Sequence, residues 1–226
     1  MSENIRVAID GPSGAGKSTL ARSVAARLNF LYVDTGAIYR TIGYAVWRKG
    51  IDPRDRSAVV AVLPDLEICL TYGTDGLQHM ELNGMDVTAE IRLPEVSRYA
   101  SLVSAYPEGR ADLLEMQRQL ARENSVVMDG RDIGTVVLPD AEVKVFLTAS
   151  AEERARRRML ELEERGTPEP YAAILRAIQE RDWNDTHRDA APLRQAEDAV
   201  LLDTTALDFV QSEDALLHII RERTGL

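Results

Sequence analysis

The sequence predicts an α/β protein in which a parallel sheet is covered by helices and carries a small antiparallel insert. Five short apolar runs are followed by turn residues or by helical patterns, and this alternation is typical of a parallel sheet with both faces covered. One stretch instead combines period-two alternation with tight-turn signals, which predicts the antiparallel part. At 226 residues the chain is expected to form a single domain spanning residues 1–226.

The elements follow from hydrophobic periodicity, taken in chain order. The predicted strands of the parallel sheet are residues 7–9, 31–33, 126–128, 143–147 and 200–202. A helix is predicted after residues 11–19, where Leu20, Val24 and Leu28 recur every four positions, and further helices are predicted at 37–47, 110–123, 151–165 and 212–223. Ser150 and Glu153 form a capping box before the 151–165 helix. Alternating residues from Leu66 to Tyr72 and the turn dipeptide Asn83-Gly84 predict an antiparallel insert at about 63–100.

The segment after the first strand fits the phosphate-binding pattern G-x-x-x-x-G-K-[ST]. It consists of Gly11, Pro12, Ser13, Gly14, Ala15, Gly16, Lys17, Ser18 and Thr19. A strand precedes it and a helix follows it, which is the context this motif requires. Backbone N–H groups and the helix N-terminus favour a polyphosphate, Lys17 can reach its β- and γ-phosphates, and Ser18 can ligate Mg²⁺. The segment predicts a site for a nucleoside triphosphate with Mg²⁺.

Composition limits the partners. The net charge of −10 argues against binding of a nucleic acid polymer. No run reaches the roughly 18 apolar residues of a membrane span, and no charged-then-apolar leader precedes the first strand, so we expect a cytoplasmic protein that does not bind membranes. No apolar seam suggests an interface, so a monomer is expected. Cys69 lies in an apolar run and is predicted to be a buried thiol.

Charged residues cluster where parallel strands end, which is where ligands bind in such sheets. Asp34 ends the second strand and Arg40 lies in the next helix, while 129–132 places two acids and an arginine around a glycine. Arg154, Arg156, Arg157 and Arg158 share one helix, and Arg181, Asp185 and Arg188 are spaced to share another helix face. Solvated arginines, turn capping and ordinary ion pairs are the competing explanations.

Several segments together resemble the bacterial cytidylate kinase family, in the same order over essentially the whole chain. They are residues 34–40 (DTGAIYR), 83–92 (NGMDVTAEIR), 129–137 (DGRDIGTVV), and 180–193, which contains Glu180-Arg181-Asp182, Asp185, Arg188 and Ala191-Pro192-Leu193. One departure is local: the family commonly has Pro-x-Val-Arg where this chain has Pro107-Glu108-Gly109-Arg110.

The resemblance implies a P-loop nucleoside monophosphate kinase that uses ATP and Mg²⁺ to phosphorylate CMP and dCMP in pyrimidine nucleotide metabolism. It implies a monophosphate-binding region with the insert at about 36–102 and a helical lid at about 154–168. The implied catalytic residues are Lys17, Arg131 and Arg188, and the implied lid contacts to ATP are Arg157 and Arg158. The residues implied for the CMP phosphate are Thr35, Arg40, Arg131 and Arg188; for its sugar, Arg181 and Asp185; and for its base, Ser101, Arg110 and Asp132.

Other functions share the phosphate loop. A regulatory GTPase needs an Asn-Lys-x-Asp segment, but no lysine here follows an asparagine, and no Asp-x-x-Gly switch occurs. A P-loop kinase for another small molecule, such as shikimate, and a nucleotide-sensing module without turnover both remain open at this point. A panel of acceptor nucleotides in an ADP-release assay separates them.

Overall fold

The apolar run of the first strand forms the centre of the main sheet, because Val7, Ala8 and Ile9 are completely buried. A computed structural model describes residues 4–74 and 76–226. The strands are β1 Arg6–Asp10, β2 Leu31–Asp34, β3 Ile68–Tyr72, β4 Gln78–Leu82, β5 Met85–Asp86, β6 Val126–Gly130, β7 Val143–Thr148 and β8 Val200–Asp203. The helices are α1 Lys17–Leu28, α2 Thr35–Arg48, α3 Arg56–Val62, α4 Pro94–Val103, α5 Ala111–Glu123, α6 Ala151–Glu164, α7 Tyr171–His187 and α8 Phe209–Thr224.

The chain divides into two compact units. The first, here called the core unit, comprises residues up to Tyr32 and from Ala121 onwards, and the second, the insert unit, is Val33–Leu120. In the core unit the sheet has the order β2-β6-β1-β7-β8, with Leu31 and Tyr32 providing the start of β2. The pairings of β1 with β6 and β7 and of β7 with β8 are all parallel. The predicted parallel sheet is therefore confirmed.

The register of the sheet brings two glycine-containing segments to one edge. Asp10 lies opposite Gly130, so β1 and β6 end side by side. The phosphate loop leaves β1, and a single π-helical turn, Ile133–Val137, follows β6 after Arg131 and Asp132. Apolar side chains of α1 and α8, among them Leu20, Val24 and Leu216, pack with the strands in one buried cluster and hold this edge in place.

The insert unit contains the antiparallel sheet β3-β4-β5, helices α2, α3 and α4, and the part of α5 that ends at Leu120. Its core includes Ile38, Met80, Ile91 and Val96. Helices α2 and α4 approach so closely that a Cβ on Gly43 would lie 2.7 Å from the backbone nitrogen of Ala100. A side chain at position 43 is therefore excluded unless the helices separate.

Three expectations were wrong in detail. The predicted insert of 63–100 does not remain a sheet: its strands end at Asp86, and helix α4 occupies Pro94–Val103. Cys69 is exposed, because the alternation of β3 turns the half-buried Ile68 and Leu70 towards one face and Cys69 towards the other. Arg188 does not share the helix face of Arg181 and Asp185, because α7 ends at His187 and Arg188 has an extended backbone with ψ 145°.

Candidate active site

The phosphate loop is held against the sheet by its first glycine. Gly11 has φ +151°, and a Cβ there would lie 1.9 Å from the carbonyl oxygen of Leu147 on β7. Gly16, at φ 90°, caps α1 in the left-handed region that glycine adopts without strain. The loop therefore turns directly from β1 into the N-terminus of α1, which is the order of elements that the motif requires.

Lys17 lies inside this loop. Its side chain is buried, and Nζ donates a hydrogen bond of 2.8 Å to the carbonyl oxygen of Pro12. Burial and the nearby Arg131 together lower the pKa of Lys17 to about 7, against the opposing effect of Asp129, Asp10 and Asp185. A bound polyphosphate would favour the charged ammonium, since an adjacent anion stabilises a cation.

Ser18, the predicted metal ligand, contacts a carboxylate that sequence reasoning did not include among the site residues. Its hydroxyl donates to Asp129 Oδ2 at 2.8 Å, and the hydroxyl of Tyr32 donates to Asp129 Oδ1 at 2.8 Å. Asp129 is the fourth residue of β6 and is buried. Ser18 and Asp129 thus place two neighbouring oxygen atoms, either of which could ligate a metal ion, beside the phosphate loop.

Asp10 is a second carboxylate that the sequence analysis did not select. It is buried at the end of β1, and its two oxygens accept hydrogen bonds of 2.7 Å from the backbone N–H groups of Ile133 and Gly134. Burial raises the pKa of Asp10 to about 6, although the two backbone donors act in the opposite direction. The contact joins the residue before the phosphate loop to the turn that follows Asp132.

The predicted acceptor residues of the core unit form one charged cluster. Arg131 Nε donates to Asp185 Oδ2 at 2.7 Å, and Arg188 Nη2 lies 3.8 Å from Asp132 Oδ1. Arg188 also donates through Nε and Nη2 to the carbonyl oxygen of Ala191. Burial alone would raise the pKa of Asp185, but Arg131, Arg181 and Arg188 lower it, so the group is a carboxylate at neutral pH.

The arginines of α6 differ in their surroundings. Arg154 is buried, bonds the carbonyl oxygen of Ser13 at 3.1 Å, and forms a two-pronged ion pair with Asp182 of α7. Arg157 donates to the carbonyl oxygen of Thr204 at 2.7 Å. Arg158 is paired with Glu161 on the surface. Of these three arginines, Arg154 makes a direct hydrogen bond to the phosphate loop.

In the insert unit, the predicted phosphate-binding residues Thr35 and Arg40 lie in the first two turns of α2. Asp34 caps this helix by accepting from the Ala37 amide at 2.9 Å, and Thr35 is the first helical residue. The Asp34 carboxylate accepts from Arg92 at 2.9 Å and lies 3.5 Å from Arg40 Nη1. Burial opposes ionisation of Asp34, but Arg40 and Arg92 lower its pKa below the ordinary value. Arg92 was not selected from the sequence.

The two remaining base-binding candidates lie in the same unit. Arg110 directly precedes α5, its guanidinium is 5.2 Å from the centre of the Tyr39 ring, and its Nη1 donates to the carbonyl oxygen of Ser104 at 3.1 Å. Ser101 is half-buried near the end of α4. Asp132, the third candidate, belongs to the core unit.

Within residues 4–74 and 76–226, no cluster of three or more His, Cys, Asp or Glu side chains could hold a metal ion. Among those same residues no helix is long and apolar enough to cross a membrane.

Comparison with known proteins then identifies the family. A family model for cytidylate kinase matches residues 7–222. A cytidylate kinase from Caldicellulosiruptor bescii is 48% identical over 217 residues, which cover 96% of each chain. The chain belongs to the cytidylate kinase family. It is accordingly a nucleoside monophosphate kinase, an enzyme that phosphorylates CMP with ATP.

Further similarities agree with this assignment. A cytidylate kinase from Carboxydothermus hydrogenoformans is 49% identical and is matched over 98% of this chain and 100% of its own length. A solved structure of an uncharacterized protein from Eubacterium ventriosum has a TM-score of 0.50 at 14% identity, covering 98% of this chain and 100% of its own. The last comparison concerns the fold alone. The P-loop kinase fold and the kinase family predicted from the sequence are confirmed.

Proposed function

We propose that the chain transfers the γ-phosphoryl group of ATP to CMP and to dCMP, giving ADP and CDP or dCDP, and that it acts as a monomer within a single domain, residues 1–226. One observation supports this most strongly. Asp10 and Gly130 lie opposite each other on neighbouring parallel strands, so the donor loop and the 129–132 segment begin at one sheet edge. Two phosphates that meet at such an edge can be held in line for transfer.

The donor site is the phosphate loop. Residues 11–19 would bind the ATP phosphates through backbone N–H groups, and Lys17 would leave the Pro12 carbonyl to bind the transferring phosphoryl group. Its charge matters most in the transition state, when negative charge spreads over the phosphoryl oxygens.

Mg²⁺ fits the donor set beside this loop. Ser18 and Asp129 offer oxygen ligands, which Mg²⁺ prefers, and the ion commonly takes one or two protein oxygens, with substrate phosphates and water completing its shell. When bound, Mg²⁺ would neutralise charge on the ATP phosphates.

The acceptor site would use the charged cluster of the core unit. Arg131 and Arg188 would neutralise the CMP phosphate, and Arg181 and Asp185 would contact its sugar. In the insert unit, Thr35 and Arg40 would add phosphate contacts. A general base is unnecessary because the acceptor phosphate oxygen is already an anion. The protein's task is to position the two phosphates and stabilise the transferring group.

Base selection would depend on Asp132, Ser101 and Arg110. The N4 amine of cytosine can donate a hydrogen bond to the Asp132 carboxylate, whereas uracil presents at that position a carbonyl oxygen, which the carboxylate repels. Arg110 and Ser101 would donate to the cytosine O2 and N3 acceptors. We expect a strong preference for CMP over UMP, because a base-edge pair contributes about 1–3 kcal/mol and the repulsion between the carboxylate and the uracil carbonyl oxygen adds to the difference.

Helix α6 and the residues after it, about 154–168, would act as a lid. Gly166 has φ +73° directly after the helix, where a glycine allows the chain to turn. Arg157 and Arg158 would approach the ATP phosphates on closure. Closure would exclude water, which otherwise accepts the phosphoryl group.

The test is an ADP-release assay with a panel of acceptors: CMP, dCMP, UMP, AMP, GMP and shikimate. The expected result is high kcat/KM for CMP and dCMP alone, and a CMP-to-UMP ratio that falls in Asp132→Asn. Asp214→Asn is the matched control, because that exposed acid of α8 lies outside the proposed site. Equal turnover of UMP by the wild-type protein, or an unchanged ratio in Asp132→Asn, would contradict the assignment.

A further inference from the structure

The turn that carries the acceptor-binding residues has an N-terminus that its own side chains do not cap. Asp132 is the residue before the π-helical turn Ile133–Val137, and its side chain makes no capping hydrogen bond there. The first N–H groups of any helical turn lack partners within the turn. At this turn, two of them are taken by Asp10, which lies 123 and 124 residues earlier in the chain.

The geometry of this contact is closely constrained. Asp10 is 4% exposed, so its carboxylate is shielded from water, and both hydrogen bonds are 2.7 Å, the short distance typical of charge-assisted bonds. A Cβ on Gly134 would lie 3.4 Å from Asp10 Oδ2 and 3.2 Å from Lys144 Cδ. Glycine at 134 therefore leaves the space that the carboxylate needs.

The turn is also held at its other end. Lys144 of β7 donates to the carbonyl oxygen of Pro139, just beyond the turn, and pairs with Asp198 at 2.8 Å. Asp10 therefore fixes the end next to Arg131 and Asp132, while Lys144 fixes the end away from them. A substitution of Lys144 can therefore serve as a control for a substitution of Asp10, because it loosens the same turn at the end away from Asp132.

We propose that Asp10 is a positioning residue for acceptor recognition, which acts through the backbone of Ile133 and Gly134 to orient Asp132 towards the nucleotide base. The inference rests on the proposed function of Asp132. Asp10 is the last residue before the phosphate loop, so the natural alternative is that it supports ATP binding. A role in acceptor recognition predicts that a substitution of Asp10 raises KM for CMP, whereas a role in ATP binding predicts that it raises KM for ATP.

The test variant is Asp10→Asn, which keeps the size of the side chain. The asparagine oxygen can still accept from one N–H group, but its NH₂ group faces the other N–H group, so one charge-assisted bond is lost. Loss of such a bond is expected to raise KM for CMP about tenfold. We expect the ratio of kcat/KM for CMP over UMP to fall, with KM for ATP and the Mg²⁺ dependence within about twofold of wild type.

Two controls make the result specific. Lys144→Met keeps the apolar stem but removes the ammonium at the far end of the turn, and should lower the melting temperature without changing the CMP-to-UMP ratio. In an Asp132→Asn background, Asp10→Asn should change the ratio no further, because residues that act through one another give non-additive effects.

The outcomes are separable. A change confined to KM for ATP or to the Mg²⁺ dependence, or equal losses of activity on CMP and UMP, would overturn the proposal. If Asp10→Asn does not fold, Gly134→Ala is compared with Lys144→Met, because its Cβ would lie 3.4 Å from the same carboxylate oxygen and 3.2 Å from Lys144 Cδ. Gly134→Ala is expected to lower the ratio where Lys144→Met does not; an unchanged ratio would again overturn the proposal. Failure of the wild-type protein to phosphorylate CMP would contradict the proposed function instead.

Discussion

The contribution of the Asp34 charge to the insert unit can be tested by measuring the free energy of unfolding. Its buried carboxylate accepts from Arg92 at 2.9 Å, lies 3.5 Å from Arg40 and caps α2 through Ala37. Asp34→Asn keeps the capping oxygen but removes the charge. A hydrogen bond to a charged group contributes about 1.5–3 kcal/mol, and solvent screens part of the attraction because the Arg92 side chain is 45% exposed. We expect the free energy of unfolding to fall by about 2 kcal/mol.

The effect should depend on pH. Arg40 and Arg92 lower the pKa of Asp34 in the folded state against the effect of burial, so between the folded and unfolded pKa values the unfolded chain binds more protons. Stability therefore rises with pH in that window. The stabilisation by Asp34 is fully present above about pH 4, the ordinary carboxyl range, and is lost as the pH falls through the folded pKa. The difference between wild type and Asp34→Asn should shrink accordingly.

The assay is urea denaturation followed by tryptophan fluorescence. The chain has two tryptophans, and Trp183→Phe leaves Trp47, on α2, as the reporter. Asp55→Asn is the matched control, since Asp55 also caps a helix of the insert unit by accepting from the Ala58 amide at 3.0 Å. Asparagine and aspartate are nearly equal as caps, so the control should change stability by less than about 0.5 kcal/mol. Equal costs for the two variants, or a difference that does not shrink as the pH falls below about 4, would refute this reasoning.

Three further predictions concern single substitutions and their effects on kcat or on stability. Lys17→Ala should lower kcat about 100-fold or more with an unchanged melting temperature, whereas exposed Lys49→Ala should leave kcat unchanged; near-native turnover of the first would contradict the phosphate-loop assignment. Gly43→Ala should cost about 1–3 kcal/mol in urea denaturation, because its Cβ would meet the Ala100 backbone at 2.7 Å. Gly109→Ala should instead stabilise by about 0.4–1 kcal/mol, since its Cβ would face a cavity of about 330 Å³ at ordinary contact distances, and a loss of stability would exclude that explanation.

Strong local patterns made most of the core unit predictable. The runs at Val7 and Val143 are apolar almost without interruption, so strands β1 and β7 agree with prediction to within a residue or two. Helix α4 was missed because it begins at Pro94 with Leu93 before it, and no side chain caps it to mark its start. Helix α3 buries Val59 alone among its residues, too few for a period to be detected.

The candidate site was predictable where a motif names its residues, and less so where contacts join distant segments. The phosphate loop is contiguous, so Lys17 and Ser18 could be selected directly. Asp10 and Asp129 act through partners more than 100 residues away in sequence, and no local spacing encodes such contacts. Their position at the ends of strands β1 and β6 was the available signal. For Cys69, alternation with Ile68 and Leu70 already indicated the opposite, exposed face.

The exposed thiol of Cys69 allows this enzyme to be labelled with a fluorescent dye for energy-transfer measurements. It is the single cysteine of the chain, so a maleimide dye reacts at one position without prior mutagenesis. Cys69 belongs to the insert unit and Trp183 to the core unit. In a Trp47→Phe background, energy transfer from Trp183 to the dye reports the separation of the two units, and titration with CMP or an ATP analogue follows that separation in solution during each binding step.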